Sequence, residues 1–245
     1  RRETAGSATI LFRKVLDWNE RHYGSLNRGE RIIMTTESHQ DFYLRRLHSL
    51  LGIFPIGVFF IEHVFTNSLA FFYGDEMYNA AVLRLQSLPF VLFLEIGFIG
   101  LPILFHGILG LVIWWKSKSN PQDYGYARNW LYFAQRWTGI IAFAYIILHV
   151  WGMRIAWAID PAIDHLDFAY VAERLTQPAL ILVYVVGVAC ASFHFGNGLW
   201  NFLVKWGVTV GEHSQRNLLY ICSAIGVIVF SGFMLSLAAF AANAT

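Results

Sequence analysis

Long apolar runs alternate with polar stretches along this chain. The apolar runs cover residues 50–72, 89–115, 137–159, 178–204 and 217–242. An α-helix rises about 1.5 Å per residue, so about 20 apolar residues cross the roughly 30 Å hydrocarbon core of a bilayer. The pattern therefore predicts five transmembrane helices, and residues 41–245 as one transmembrane domain.

The composition agrees with a membrane protein. Of 245 residues, 56% are hydrophobic, 17% are aromatic and only 14% are charged, and the mean hydropathy is +0.48. Soluble domains carry about 25% charged residues. Cys190 and Cys222 are the only cysteines, and no C-x-x-C-H occurs, which excludes covalent haem attachment and a thiolate metal cluster. We expect both thiols to pack.

Basic residues are concentrated at one end of the predicted helices. The region up to Arg46 carries nine Lys or Arg residues and the second and fourth connections add six, whereas the first and third connections hold three. Because basic loops stay on the cytoplasmic side, the N-terminus is predicted inside and the C-terminus outside. Residues 1–40 lack the apolar centre of a signal peptide. We expect a cytoplasmic N-terminal extension with a short helix around Ile10 to Trp18.

Four histidines fall inside four different apolar runs, namely His63, His106, His149 and His194. An imidazole in a bilayer needs a partner. At about 1.5 Å per residue, the first and third of these histidines lie roughly 18 to 20 Å from the cytoplasmic ends of their helices. The other two, on helices that run the opposite way, lie roughly 23 Å from the outer ends. The depths predict an outer pair, His63 with His149, and an inner pair, His106 with His194.

Two pairs of imidazoles indicate two metal sites. A single zinc bound by four histidines would need them at one depth, which the estimate disfavours. Two axial imidazoles from facing helices suit the iron of a non-covalent b-type haem. Glycines on the faces of these histidines, such as Gly110, Gly152 and Gly187, fit a flat macrocycle or close helix packing.

Several stretches of the chain resemble one known family. The chain is similar to the single-chain dihaem cytochrome b membrane anchor of bacterial succinate:menaquinone oxidoreductases and quinol:fumarate reductases in "FYLRRLHSLLGIFPIGVFFIEH", "SLPF", "LEIGFIGLPILFHG", "RNWLYFAQRWTGI", "HVW" and "SFHFGNGLWNFLVKWG". The resemblance starts at about Asp41 and covers all four histidines in order. It implies an all-α membrane protein in which four of five transmembrane helices are bundled around two stacked b-type haems.

The resemblance also implies partners and a location. It implies a bacterial cytoplasmic membrane complex with a flavoprotein subunit, which carries FAD and the dicarboxylate site, and an iron–sulphur subunit. This chain would pass electrons between the clusters and menaquinone, with His106 and His194 on the haem nearer the iron–sulphur subunit. The chain itself has no dinucleotide fingerprint and no cysteine array. The sequence leaves the direction open, succinate oxidation or fumarate reduction.

Further residues are candidates for haem propionates and for the quinone. Basic and polar side chains at the inner boundary are candidates for the inner propionates, namely Arg45, Arg46, His48, Ser49 and Lys205, and Arg154 is the candidate for the outer haem. Glu95 lies 11 residues before His106, at about the level of the outer haem. An unpaired carboxyl there would tend to hold a proton, and we predict that it exchanges protons with menaquinone. Glu62 is the weaker rival.

Two other functions use the same residues. Intramembrane ionisable residues also mark transport pathways, so His63, Glu62 and Glu95 could form a proton or solute relay. The sequence shows neither an inverted repeat nor interrupted helices, which tells against a transporter. A cytochrome b anchor of a formate dehydrogenase or hydrogenase would share the haems but not the quoted stretches.

Overall fold

The structure is a computed structural model that describes residues 28–117, 122, 123 and 125–243. The predicted helix around Ile10 to Trp18 lies outside the described residues. The described helices are α1 (Arg28–Ile53), α2 (Ile56–Phe72), α3 (Gly74–Gln86), α4 (Val91–Phe93), α5 (Leu101–Lys116), α6 (Ala127–Val150), α7 (Ala156–Ile159), α8 (Phe168–Arg174), α9 (Pro178–Lys205) and α10 (Glu212–Ala242). Two π-helical segments, Leu94–Gly100 and Trp151–Ile155, join α4 to α5 and α6 to α7.

Within the part of the chain that the structure describes, five helical stretches are long and apolar enough to cross a membrane, as predicted. They are span one (His39–Phe72), span two (Val91–Lys116), span three (Ala127–Ile159), span four (Pro178–Lys205) and span five (Glu212–Ala242). Spans one and three begin about ten residues before the predicted runs. An apolar run marks only the part of a helix inside the hydrocarbon core, and these helices extend beyond the core into the polar residues that precede the run. Many large apolar side chains are exposed along the spans, as a lipid-facing surface requires.

The spans pack in an antiparallel bundle. Span five lies against spans one and four, and span three lies against spans two and four. We call the end at which span two ends and span three begins the basic end, and the opposite end the far end. Arg136 Nη2 donates to the Trp114 carbonyl at 2.7 Å and Arg128 Nη2 to Gln215 Oε1 at 2.9 Å, which ties spans two, three and five together at the basic end.

Residues up to Leu47 and residues from His48 onward form two compact units. In the first unit, the Arg46 guanidinium lies 5.1 Å from the centroid of the Phe42 ring. Arg45 and Arg46 belong to this unit, and their role toward a propionate stays a prediction.

Three spans depart from uninterrupted α-helix, so the expectation that the chain has no interrupted helices is wrong. Span one is divided at Phe54 and Pro55, between α1 and α2, where proline lacks the N–H that a helix interior needs. Spans two and three each contain one of the π-helical segments. Such segments keep backbone hydrogen bonds within the helix and occur frequently at functional sites. None of these features produces the separated half-helices typical of transporters.

The far end is covered by two short helices, α3 and α8. Their apolar side chains form a core with span five in which Tyr78, Phe168, Leu175 and Phe240 are buried. The Phe168 backbone N–H donates to Asn79 Oδ1 at 2.8 Å, which joins the two helices. Burial raises the pKa of the Tyr78 phenol, so this ring stays neutral inside the cover.

Candidate functional site

The structure brings the four intramembrane histidines together in two pairs. The ring centroids of His63 and His149 lie 5.8 Å apart, and those of His106 and His194 lie 6.1 Å apart. Each ring comes from a different span, and all four are half-buried. These are the two pairs that the depth estimate predicts.

Backbone carbonyls orient the pair nearer the basic end. His106 Nδ1 lies 2.9 Å from the His48 carbonyl, and His194 Nδ1 lies 2.9 Å from the Gln135 carbonyl. A carbonyl oxygen only accepts, so each contact places the proton on Nδ1 and leaves the Nε2 lone pair for a metal. Metal-binding histidines are commonly oriented in this way.

Polar side chains orient the pair nearer the far end. His149 Nδ1 lies 3.2 Å from the Tyr184 hydroxyl, while the Tyr145 ring stacks on His149 at 5.7 Å between centroids. His63 Nδ1 lies 3.5 Å from Asn67 Nδ2, and this amide also donates to the His63 carbonyl at 2.8 Å. His106, His149 and His194 therefore have a group beside Nδ1 that can accept its proton, whereas the Asn67 amide nitrogen beside His63 Nδ1 can only donate.

A polar network inside the bundle extends from His194. Gln135 Nε2 donates to the His194 carbonyl at 3.0 Å, and Asn197 Nδ2 donates to Gln135 Oε1 at 2.7 Å. Together with the His194 Nδ1 contact, these bonds join spans three and four at one point. Sequence reasoning missed Gln135 and Asn197. Asn197 lies inside an apolar run, which is a signal that its side chain needs a partner, whereas Gln135 lies just before the predicted run 137–159.

Two glycines make room for the basic-end pair. A Cβ atom at Gly52 would lie 2.6 Å from His106 Cε1, and one at Gly139 would lie 2.7 Å from His194 Cε1. Real side chains do not approach so closely, so the imidazoles occupy space that only glycine leaves open. These are not the glycines singled out from the sequence: Gly187 meets the Tyr145 ring, and Gly110 has His48 Cε1 3.4 Å from its Cβ position.

His48 is a third imidazole at the basic-end pair. Its ring stacks on His106 with centroids 3.9 Å apart and planes 11° apart, and its buried Nδ1 has no hydrogen-bond partner in the described part of the chain. Lys205 lies within electrostatic range of His48. An unpartnered polar atom and a cation at this position suit an anionic group such as a propionate. Among the described residues, no side-chain contact bears on Ser49, so its role at a propionate stays a prediction.

Glu95 and Arg154 form an ion pair near the far end. Arg154 Nε lies 3.0 Å from both carboxylate oxygens of Glu95, and Arg154 Nη2 lies 2.8 Å from Oε2. The pair joins the two π-helical segments, and the guanidinium also lies 4.8 Å from the Trp157 ring centroid. Glu95 is therefore not the unpaired carboxyl that the sequence suggested. Its proton-exchange role and the propionate role of Arg154 stay predictions.

The rival acid, Glu62, is satisfied within its own helix. Thr66 Oγ1 donates to Glu62 Oε1 at 2.6 Å, one turn further along span one. This bond needs no second helix, in contrast to the pairing of Glu95 with Arg154, which are 59 residues apart. Of these two acids, Glu95 is thus the one that links two spans.

The histidine pairs fit haem better than a bare ion. Among the described residues, no group of three or more His, Cys, Asp or Glu side chains is arranged to hold a metal ion. Two imidazoles leave a bare ion short of the four ligands that a zinc site takes, whereas the porphyrin of a haem would supply the remaining ligands.

Two comparisons with known proteins identify the family of this chain. The model of the succinate dehydrogenase/fumarate reductase transmembrane subunit family matches residues 119–233. The succinate dehydrogenase cytochrome b558 subunit of Bacillus subtilis (strain 168) is 43% identical over 189 residues, which cover 77% of this chain and 92% of that protein. Both matches favour a cytochrome anchor over a transporter. The chain belongs to the family of cytochrome b membrane anchors of succinate dehydrogenase.

Proposed function

We propose that this chain transfers electrons between an iron–sulphur subunit and menaquinone through two bis-histidine b haems. The observation that carries the proposal is the presence of two imidazole pairs, His63 with His149 and His106 with His194, whose ring centroids lie 5.8 and 6.1 Å apart. Each haem supplies a one-electron carrier when bound. His106 and His194 hold the basic-end haem, and His63 and His149 hold the far-end haem.

The side chains around each pair have separate tasks in this proposal. His48, Ser49 and Lys205 bind the propionates of the basic-end haem. Arg45 and Arg46, which belong to the other compact unit, are candidates for this role from their sequence position alone. Arg154 uses Nε and Nη2 for Glu95, and Nη1, which takes no part in that ion pair, would donate to a far-end propionate. The carbonyls of His48 and Gln135 hold the His106 and His194 imidazoles in the tautomer with its proton on Nδ1 and fix their orientation.

Glu95 is the proposed proton-exchange group for the quinone. Reduction of a quinone to a quinol takes up two electrons and two protons. A carboxylate can deliver or accept one of these protons when it lies within reach of a quinone oxygen. The Glu95 carboxylate lies at the far end. It is ion-paired with Arg154, which belongs to the π-helical segment that begins two residues after His149. Arg154 orients it and balances its charge.

The basic end is the proposed docking face for the iron–sulphur subunit. Its connection reads "KSKSNPQDYGYARNW", of which residues 118–121 and 124 lie outside the described part. The excess of basic residues assigns this end to the cytoplasm, with the flavoprotein subunit bound beyond the iron–sulphur subunit. The direction that we favour is succinate oxidation, in agreement with the name of the B. subtilis relative.

The docking face leads to a crosslinking prediction. We expect a lysine-reactive crosslinker added to the assembled complex to join the iron–sulphur subunit to Lys116 or Lys205 of this chain. Mass spectrometry of the digested complex identifies the joined peptides. Lys116→Arg and Lys205→Arg keep the charge and should remove the corresponding crosslinks. Carboxyl-directed crosslinks from the iron–sulphur subunit to the Asp160–Gln177 connection would contradict the assignment.

Tyr184 leads to a prediction about the far-end haem. Tyr184→Phe removes the hydroxyl beside His149 Nδ1 and should weaken retention of the far-end haem by about ten-fold, because the group that orients a metal-binding histidine is lost. Tyr145→Phe is the matched control, since its ring stacks on the same histidine and is retained. Haem content during detergent dialysis is the measurement. Equal retention in both variants would remove Tyr184 from the site.

A further inference from the structure

A groove opens between spans three, four and five. Its volume is about 380 Å³. Its walls include Leu131 of span three, Ser192, Phe193 and Asn197 of span four, and Ser223 and Phe230 of span five. Small-molecule sites commonly enclose about 300 to 1,000 Å³, so the groove is large enough for one aromatic ring system.

The groove exists because glycines bring spans four and five into backbone contact along its floor. A Cβ atom at Gly196 would lie 2.8 Å from the Cys222 carbonyl oxygen, and one at Gly226 would lie 3.1 Å from the Ser192 carbonyl oxygen. The larger side chains Phe193 and Phe230 then form walls above this contact rather than filling it. The floor is fixed by the backbone.

Two polar atoms beside the groove have no hydrogen-bond partner within the described residues. They are Ser192 Oγ and Asn197 Oδ1, and their residues are only 1% and 6% exposed. A bilayer interior offers no water to satisfy them. An acyl chain cannot satisfy them either, because it has no polar atom. A ligand that carries its own hydrogen-bonding groups would satisfy both atoms.

The orientation of the Asn197 amide follows from its neighbours. Gln135 Nε2 donates to the His194 carbonyl, so Gln135 Oε1 is left to accept, and the group that donates to it must be Asn197 Nδ2. The unpartnered atom of Asn197 is therefore an acceptor. Beside it stands the Ser192 hydroxyl, which donates or accepts.

We propose that this groove binds the ring of the membrane quinone in its reduced form, a substituted dihydroxynaphthalene, at a site separate from the one at Glu95. One quinol hydroxyl donates to Asn197 Oδ1, and the other exchanges a hydrogen bond with Ser192 after rotation of its side chain. Phe193 and Phe230 contact the ring faces. The inference rests on the proposed use of quinone by this chain, and it adds a second site for the same substrate class.

The groove has a direct connection to the basic-end pair. Asn197 bonds to Gln135, and the Gln135 carbonyl accepts from His194 Nδ1. A quinol bound to Asn197 is thus three hydrogen bonds from His194, a proposed haem ligand. Binding should shift the visible band of the basic-end haem, a signal that is independent of turnover.

Photolabelling of the assembled complex in membranes tests the site. The probe is 2-methyl-1,4-naphthoquinone with a diazirine on a short alkyl chain, supplied oxidised or reduced with borohydride, and labelled peptides are identified by mass spectrometry. We expect the reduced probe to label residues 186–198 and 221–231, and excess unlabelled menadiol to suppress this labelling. An alkyl diazirine without the ring should not compete.

Variants in and beside the groove make the test specific. Ala189→Phe fills the groove from span four and should abolish this labelling, whereas Val186→Phe, on the exposed surface one turn away, should not. Ser192→Ala should reduce labelling about five-fold, the value of one hydrogen bond. All variants should keep both haems and succinate oxidation with an artificial acceptor.

The contradicting outcomes separate this site from the proposed function. Labelling only near Glu95 and Arg154, or groove labelling that survives Ala189→Phe, would overturn the groove site and leave the proposed function standing. Equal labelling by the alkyl diazirine would assign the groove to lipid chains. Unchanged labelling in Ser192→Ala would also count against it. No labelling in any segment, together with no quinone turnover, would overturn both proposals.

Discussion

We expect His63→Ala and His149→Ala to remove or convert one and the same haem, and His106→Ala and His194→Ala to remove or convert the other. Each substitution deletes one of two imidazoles whose rings lie about 6 Å apart in the structure. A haem that loses one axial imidazole is released or becomes five-coordinate, which changes its visible band. About half of the haem b signal should be affected in every variant.

Reduced-minus-oxidised spectra of the purified complexes measure this effect. His48→Ala is the matched control, because its ring stacks on His106 but is not a proposed ligand. That variant should shift the basic-end band and keep both haems. If His63 and His106 variants affected one common haem, the pairing would be wrong.

We expect Glu95→Gln to lower electron transfer between succinate and quinone by about 100-fold, because general acid–base catalysis contributes about 10² to 10⁴-fold. Glutamine keeps the shape of the side chain but carries no exchangeable carboxyl proton. Succinate oxidation with an artificial acceptor at the catalytic subunits should persist, and both haems should be present in the spectrum.

Two further variants separate proton exchange from a structural role of the ion pair. Arg154→Gln keeps the carboxyl group and should retain more quinone turnover than Glu95→Gln. Glu62→Gln is the matched control, since that acid bonds only within its own helix. Equal losses in Glu95→Gln and Arg154→Gln would assign the pair a positioning role alone. Unchanged quinone turnover in Glu95→Gln would remove this residue from the mechanism.

The spans and the histidine pairs could be predicted because they depend on distance along a helix. Apolar length determines which stretches cross the bilayer, and the rise per residue determines depth. The helix ends were less predictable. Span three begins at Ala127 rather than at Trp137, since polar residues such as Arg128 and Gln135 are accommodated by hydrogen bonds at the basic end.

Contacts that depend on helix rotation could not be predicted from the sequence. In a regular α-helix, the spacing of 11 residues is almost three turns and would place Glu95 on the same face as His106. The π-helical segment Leu94–Gly100 contains Glu95 and changes this rotation. The partner of Glu95, Arg154, is 59 residues away and lies on a second such segment. Likewise, Gly52 and Gly139 make room for imidazoles of other spans, so their role can be seen only in the folded structure.

The central claim is that two b haems are each held by two histidines of this chain, and haem content tests it most directly. Pyridine haemochromogen analysis of the purified complex, set against the amount of this chain, gives the number of haems per anchor. The account predicts two non-covalent haem b per chain, with the low-spin spectrum of bis-imidazole ligation. One haem per chain, no haem, or a high-spin spectrum in the unmodified complex would contradict it.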